Sequence, residues 1–428
     1  MNRNQINWLK AISTALIFIA IMLLLSSCSL FQKPEKEYTA NEYIYAAFEE
    51  WYLWYDQLPD VDPNDYETQE ELIDAIKVSQ DRWSFSGSFT ELKKLFEGGE
   101  YNGFGGGFIL DADHQIKITH VYKNSPFGEI GVERGWIVNT VNGFDVNNLT
   151  EINNALNSNV DVQFVFTDPD GQQHSASVKK EPIVMNTVMY SEVIEKENHR
   201  IGYLVFDSFL DVSADELKTE FEIFQSQNIT DLVVDFRYNG GGVVDIAYQM
   251  IGMIGGDKVT GQTISTLIHN DKKSSNDVPT VSDYSGPKVN INTVYFLTTS
   301  GTASASELVI NCLEPFMEVK LIGGNTHGKP VGMYVLSVEE IDLAILPICF
   351  KNINYEGYGD YYSGLPADIF EIDDLSHNWG DPEEAMLKAA LADIITPALA
   401  LSNEFKSALV KQQKPFEYRG INQFINAY

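Results

Sequence analysis

Residues 187–396 predict a layered α/β fold, inside a chain that is multi-domain α+β overall, and three observations carry that prediction. The runs IGYLVF, DLVVDF, TVYFLT and KLIGG are short and apolar, as strands buried within a domain are. Helical stretches, ADELKTEFEIFQ, VVDIAYQMIGMI and SELVINCLEP, alternate with them. A glycine turn, NGGG, joins DLVVDF to the helix that follows, which is how a strand hands over to a helix in such layers.

The elements in chain order begin with Arg3 and Lys10 ahead of an apolar run over 15–25 that ends in LSSC. As a helix that run rises about 16 Å, roughly half the hydrocarbon thickness of a bilayer, so it is short for a span. LSSC resembles a bacterial lipobox. The expectation is a signal peptide over 1–27, with Cys28 a lipid anchor and 28–37 a tether; an uncleaved anchor is the alternative. Ser29 in place of aspartate resembles outer-membrane sorting, with the membrane face open.

Residues 38–100 predict a small helical region. Ile44, Phe48, Trp51, Tyr52 and Tyr55 share one face of a first helix, a second starts at the Thr68-x-x-Glu71 capping box, and a third covers 90–97. Over 101–182 the pattern changes to short alternating strands. After the α/β body, with a polar, mobile insertion expected over 256–290, strands are expected around MYVLSV and LAILPICF and a last helix within DPEEAMLKAALADI. The tail over 397–428 carries no assigned role.

Chemistry concentrates where TVYFLTTSGTASASEL passes from strand to helix at Ser304. A serine hydroxyl becomes nucleophilic when a base takes its proton, and a desolvated, neutral lysine does this. Lys329, in THGKP, is the candidate base. The Ala305 N–H, in the first helical turn, lacks an intrahelical acceptor and suits an oxyanion. Ser304 and Glu307 also fit a capping box, Ser-x-x-Glu, which needs no catalysis.

GTASASEL followed by a helix, the strand VKLIGG and HGKPVG resembles the C-terminal processing (tail-specific) serine peptidases. That resemblance implies a ClpP/crotonase-like peptidase core, a Ser304–Lys329 dyad, and an oxyanion hole formed by Ala305 and Gly241 with Gly242 beside it. It implies a PDZ domain over 101–182, on the phrase containing Ser125, Pro126, Gly135, Val141, Asn142 and Gly143. The peptide-binding loop would then be Phe104, Gly105, Gly106 and Gly107, whose bland alternative is an interdomain glycine hinge. Met333 stands where the family pattern has a glutamine to orient the lysine, leaving the third member unnamed. The expected activity is serine endopeptidase cleavage of exported proteins near free C-termini. A catalytically weak or inactive peptide-binding envelope lipoprotein is the alternative from another class.

Composition bounds the partners. With 61 acidic against 29 basic residues the net charge is -32, which excludes a phosphate-neutralising nucleic-acid face. The seven histidines show no pair at ligand spacing, so no metal is expected, and no cofactor is implied. His327, two residues before Lys329, is the histidine placed to polarise the site. Cys312 and Cys349 either pair as a disulfide or stand as separate buried thiols. Oligomeric state is not legible.

Overall fold

The computed structural model describes residues 38–111 and 113–396 and the backbone of a strand at 414–415, and its architecture is mixed α/β, as predicted. Cys28 and the apolar run before it lie outside the described residues.

Helices α1 (Ala40–Trp51) and α2 (Gln69–Ile76) each open on a capping box, Thr39 with Glu42 and Thr68 with Glu71. Strand β1 (Phe85–Ser88) leads into α3 (Phe89–Gly98), which stops at Gly99 in the left-handed region, φ 64°. These elements are built into the rest of the molecule. β1 pairs antiparallel with Leu343–Leu346, and Ile44, Phe48, Tyr52, Leu72, Ile73 and Ile76 share a core with Val331, Leu343, Ile345 and Ile348. At roughly 1.5–3 kcal/mol for each large apolar side chain buried, that shared core fixes the N-terminal region to the body.

β2 (Glu100–Gly103) and β8 (Glu181–Val184) pair as the entry and exit of a middle unit. Between them run β3 (Gly106–Leu110), β4 (Ile116–Val121), α4 (Pro126–Glu129), β5 (Ile137–Val141), α5 (Leu149–Asn157), β6 (Val162–Thr167) and β7 (Gln173–Val178). The sheet is antiparallel in the order β3-β4-β5-β6-β7, and the backbone of β21 (Lys414–Pro415) lies on the outer side of β3. Val162, Phe164 and Phe166 of β6 alternate inward and meet Phe104, Phe108 and Phe127 in an aromatic core.

The third body carries a six-stranded sheet: β9 (Val188–Lys196), β10 (His199–Phe206), β11 (Asp231–Asp235), β14 (Thr293–Thr298), β15 (Glu318–Gly323) and β20 (Ile369–Phe370). From β10 onward the strands are parallel. Leu204, Phe206, Leu232, Val234 and Phe296 face α6 (Ser213–Ser226), α7 (Val244–Gly255) and α8 (Ala305–Leu313). Tyr203, Val205, Val233, Tyr295 and Leu297 face the opposite layer, where α9 (Ala385–Ile395) packs through Met386, Leu387, Ala390 and Leu391. Strands buried on both faces explain why their sequences show no polar alternation.

Residues 256–290 correct one expectation. Instead of a mobile insertion they supply β12 (Thr263–His269) and β13 (Pro279–Val281), in a four-stranded sheet with β16 (Val331–Met333) and β19 (Ile348–Asn354). Their polarity is structural: Ser265 is fully buried, and its hydroxyl accepts from Asn352 Nδ2 at 2.5 Å. β17 (Leu336–Val338) and β18 (Leu343–Leu346) complete the three-stranded sheet that contains β1.

The middle unit meets the third body through a buried ionic network. Arg134 donates to Asp373 at 3.1 Å and to the Tyr238 hydroxyl at 2.8 Å, and its guanidinium lies 3.9 Å from the Trp379 ring centre. Asp373 also accepts from Arg237 at 2.9 Å, and Arg237 pairs with Glu384 at 2.7 Å. Each of these charges is compensated, the condition under which buried ions are tolerated.

Candidate active site

Three loops converge beyond the carboxyl ends of adjacent parallel strands, the usual place for a site in an open α/β sheet. The glycine turn follows β11, Ser304 follows β14 and Lys329 follows β15.

The turn between β14 and α8 is shaped by threonines. Thr302 Oγ1 donates to the Phe236 carbonyl at 2.7 Å and accepts from the Thr299 N–H at 3.0 Å, tying the turn to the end of β11. Ser304 then sits at φ 55°, ψ -112° as the N-cap of α8. That is a sparsely populated conformation for a residue with a Cβ, and such strain costs on the order of 1–3 kcal/mol. A sharp strand-to-helix turn of this kind lifts a side chain out of the sheet end. Ser304 is half-buried and opens α8 in a capping box with Glu307.

Glu307, fully buried one turn into α8, is the hub. Its Oε2 accepts from the backbone N–H of Ser304 at 3.0 Å and of Lys329 at 2.8 Å. Its Oε1 accepts from the Gly328 N–H at 2.7 Å and the Thr326 hydroxyl at 2.5 Å. Burial raises its carboxyl above the ordinary range, against the pull of these four donors. The sequence showed Glu307 as a helix cap; its grip on the lysine loop, 22 residues away, had no sequence signal.

Lys329 is 1 % exposed. Burial carries its amine well below the ordinary lysine value, and the carboxylates of Asp81 and Glu307 oppose that shift in part. Asp81 belongs to the N-terminal region, where Trp83 N–H, Ser84 N–H and the Ser84 hydroxyl donate to it at 2.9, 3.0 and 2.5 Å. Its neighbours clamp the lysine loop: Arg82 Nη2 donates to the Gly328 carbonyl at 3.3 Å, and Trp83 Nε1 donates to His327 Nε2 at 3.1 Å. His327 Nδ1 lies 3.3 Å from the Ser300 carbonyl. Burial, Arg82 and Lys329 lower its pKa to about 4, which keeps the ring neutral near pH 7. Asp81, Arg82 and Trp83 were missed because a segment about 245 residues upstream carries no local motif pointing to Lys329.

Gly241 packs directly on the serine turn. A Cβ there would lie 2.8 Å from Ser304 Cβ and 2.9 Å from the Ala305 nitrogen, and its φ is 106°. Its N–H, however, is donated to Asn239 Oδ1 at 2.9 Å, so in this conformation it does not face the serine as expected. Among the described residues no hydrogen bond uses the N–H of Ala305 or of Gly242. Gly242, at φ 137°, abuts the Phe209 carbonyl, where a Cβ would come within 2.0 Å. Asn239 braces the turn through Nδ2 to the Phe206 carbonyl, and its own carbonyl accepts from the Ser306 hydroxyl at 3.1 Å. Ser306 is thus a buried packing residue.

Met333 pairs with Ile348 at a bulge and packs beside apolar cores that contain Leu92 and Leu346. Cys312 and Cys349 are separate buried thiols.

In the middle unit Phe104 is 2 % exposed and stacks on Phe127 at 5.6 Å. Gly105 has φ 85°, and a Cβ there would meet Ser125 at 2.0 Å; one at Gly107 would meet Thr119 and His120. Gly106 starts β3. The loop is therefore packed against its own unit. His120 and Tyr122 of β4 and the residues after it face Asp207, at 3.8 Å and 2.6 Å, at the end of β10.

A model for peptidase family S41 matches residues 200–349, and one for the S41 N-terminal domain matches residues 39–85. A CtpA-like serine protease of Staphylococcus epidermidis is 26% identical over 305 residues, covering 69% of this chain and 58% of that protein. A CtpA-like relative from Staphylococcus haemolyticus is 27% identical over 261 residues, covering 60% and 50%. The chain thus spans little more than half the length of these curated relatives. The fold matches a crystal structure assigned to the S41 proteases from Bacteroides fragilis, with a TM-score of 0.69 and 24% identity over 84% of this chain and 98% of that one.

Proposed function

Because models of peptidase family S41 and of its N-terminal domain match residues 200–349 and 39–85, we propose that the chain is a serine endopeptidase with a Ser304–Lys329 dyad that cuts exported polypeptides near their C-termini. The observation that carries this reading is a serine in a strained strand-to-helix turn whose backbone shares one carboxylate oxygen with that of a buried lysine of depressed pKa.

The neutral Lys329 amine takes the proton as Ser304 Oγ attacks the scissile carbonyl. The N–H groups of Ala305 and Gly242 receive the oxyanion, and Gly241 joins them when its N–H leaves Asn239. The lysine ammonium then gives its proton to the departing amine. Water, deprotonated by the same amine, hydrolyses the acyl ester and regenerates the serine.

Substrate tails bind the middle unit in the manner of a PDZ domain: β3 accepts an added strand and the glycine loop receives the terminal carboxylate. Cys28 anchors the protein to the cell envelope by lipid. The second reading, a peptide binder with little turnover, draws on the Gly241 N–H held by Asn239 and on Met333 in an apolar environment.

The deciding experiment compares wild type, Ser304→Ala and Lys329→Ala on an unfolded reporter with a free apolar C-terminus. Cleavage by wild type alone is expected. Equal rates in all three would sink the peptidase, and binding by all three without cleavage would establish the second reading. Amidating the reporter's carboxylate should weaken its binding, and Cys28→Ser should release the protein from membranes.

A further inference from the structure

We propose that the chain is its own resting ligand: the strand Lys414–Pro415 occupies the edge of β3 that incoming tails must use. This rests on the reading that β3 and the glycine loop receive substrate tails.

β3 is the outermost strand of the 101–182 sheet, with β4 on its inner side. An open edge of this kind presents unpaired backbone groups and invites another strand. Here Lys414 lies opposite Leu110 and Pro415 opposite Ile109, antiparallel. The direction matters. β3 runs away from the glycine loop, so a strand antiparallel to it runs toward Gly105, Gly106 and Gly107. A substrate tail ending at that loop would travel the same way along the same edge.

The register also suits the residues. The Asp111 N–H is donated to Gln115 on the β4 side. Successive amides of a strand point to opposite sides, so the Leu110 amide faces outward, toward Lys414. Lys414 then directs its own backbone groups to β3, and the position of Pro415 points away. Proline has no N–H to offer on that side, so it closes the edge against further strands.

Residues 397–413 link α9 to this strand, and extended they reach about 55 Å. A tethered segment acts at an effective concentration on the order of millimolar, against which a free tail must compete. The device is autoinhibitory. A substrate tail gains the edge when the chain's own segment leaves it.

The test uses Ser304→Ala chains, so that binding is read without turnover. Three are compared: full length, full length with Lys414→Pro, and a chain ending at Thr396. The probe is a fluorescent peptide with a free apolar C-terminus. Removing the segment, or the Lys414 N–H, should tighten peptide binding roughly tenfold. Amide exchange at Leu110, read without peptide, should speed up in the same two variants. Equal peptide affinity in all three chains would overturn the proposal. So would unchanged Leu110 exchange, even if no chain bound the peptide; the absence of peptide binding alone would instead refute tail recognition.

Discussion

Ser304 and Lys329 donate their backbone N–H groups to one oxygen, Oε2 of Glu307, at 3.0 and 2.8 Å. The turn of Ser304 and the loop of Lys329 are therefore no farther apart at the backbone than two hydrogen bonds allow. Neither can shift without stripping a donor from a buried carboxylate.

Glu307→Gln tests that hub. An amide oxygen cannot accept from four donors, and its NH2 would face donors in return. Urea unfolding should show a loss of about 2–4 kcal/mol, accompanied by a fall in kcat. Unchanged stability would mean that the loops are held by other contacts.

Lys329→Met separates catalysis from structure. Methionine fills similar volume without a group that resists burial, so stability should hold or rise by about 1–2 kcal/mol. Peptide hydrolysis should fall by about 10²–10⁴. A variant that lost folding and activity together would point to a structural lysine.

The pH dependence has a definite sign. The folded pKa of Lys329 lies below the unfolded value, so over the intervening range the unfolded chain binds the extra proton. Stability contributed at this position is therefore complete above the unfolded value and declines as pH falls toward the folded one. Activity likewise declines on acidification as the amine protonates. Asp81→Asn removes a charge that raises this pKa, so the acid limb of the kcat/KM profile should move to lower pH. A limb that stays in place would show that Asp81 acts on the fold alone.

Gly241→Ala puts a methyl 2.8 Å from Ser304 Cβ, at φ 106°. Strain of that kind costs about 1–3 kcal/mol, and the displaced serine should reduce kcat by about 10²-fold. Gly131→Ala is the control. It shares a positive φ, 78°, but has nothing within 4 Å, so its melting point should drop with kcat unchanged.

Local patterns made the parallel strands, the Thr68 cap and the serine turn readable, because each is dictated by residues a few positions apart. Asp81, Arg82 and Trp83 were not readable: their partners lie in the loop at 327–329, and contacts over that separation leave no periodicity. β12 escaped for a different reason. Its buried face carries Ser265 and meets Asn352, so hydrogen bonding fills a place where the eye looks for apolar alternation. The glycine turn was legible as a turn, but which N–H stays free depends on Asn239, a side-chain choice the backbone pattern does not encode.

Asp373 is gripped by Arg134 from the middle unit and by Arg237 from the third body, with all three side chains sealed from water. Parting the two bodies would strip the buried Arg134 guanidinium of its carboxylate and leave Asp373 with Arg237 alone, a penalty no partial opening avoids. The two bodies should therefore melt together, and scanning calorimetry should record a single endotherm whose van't Hoff and calorimetric enthalpies agree.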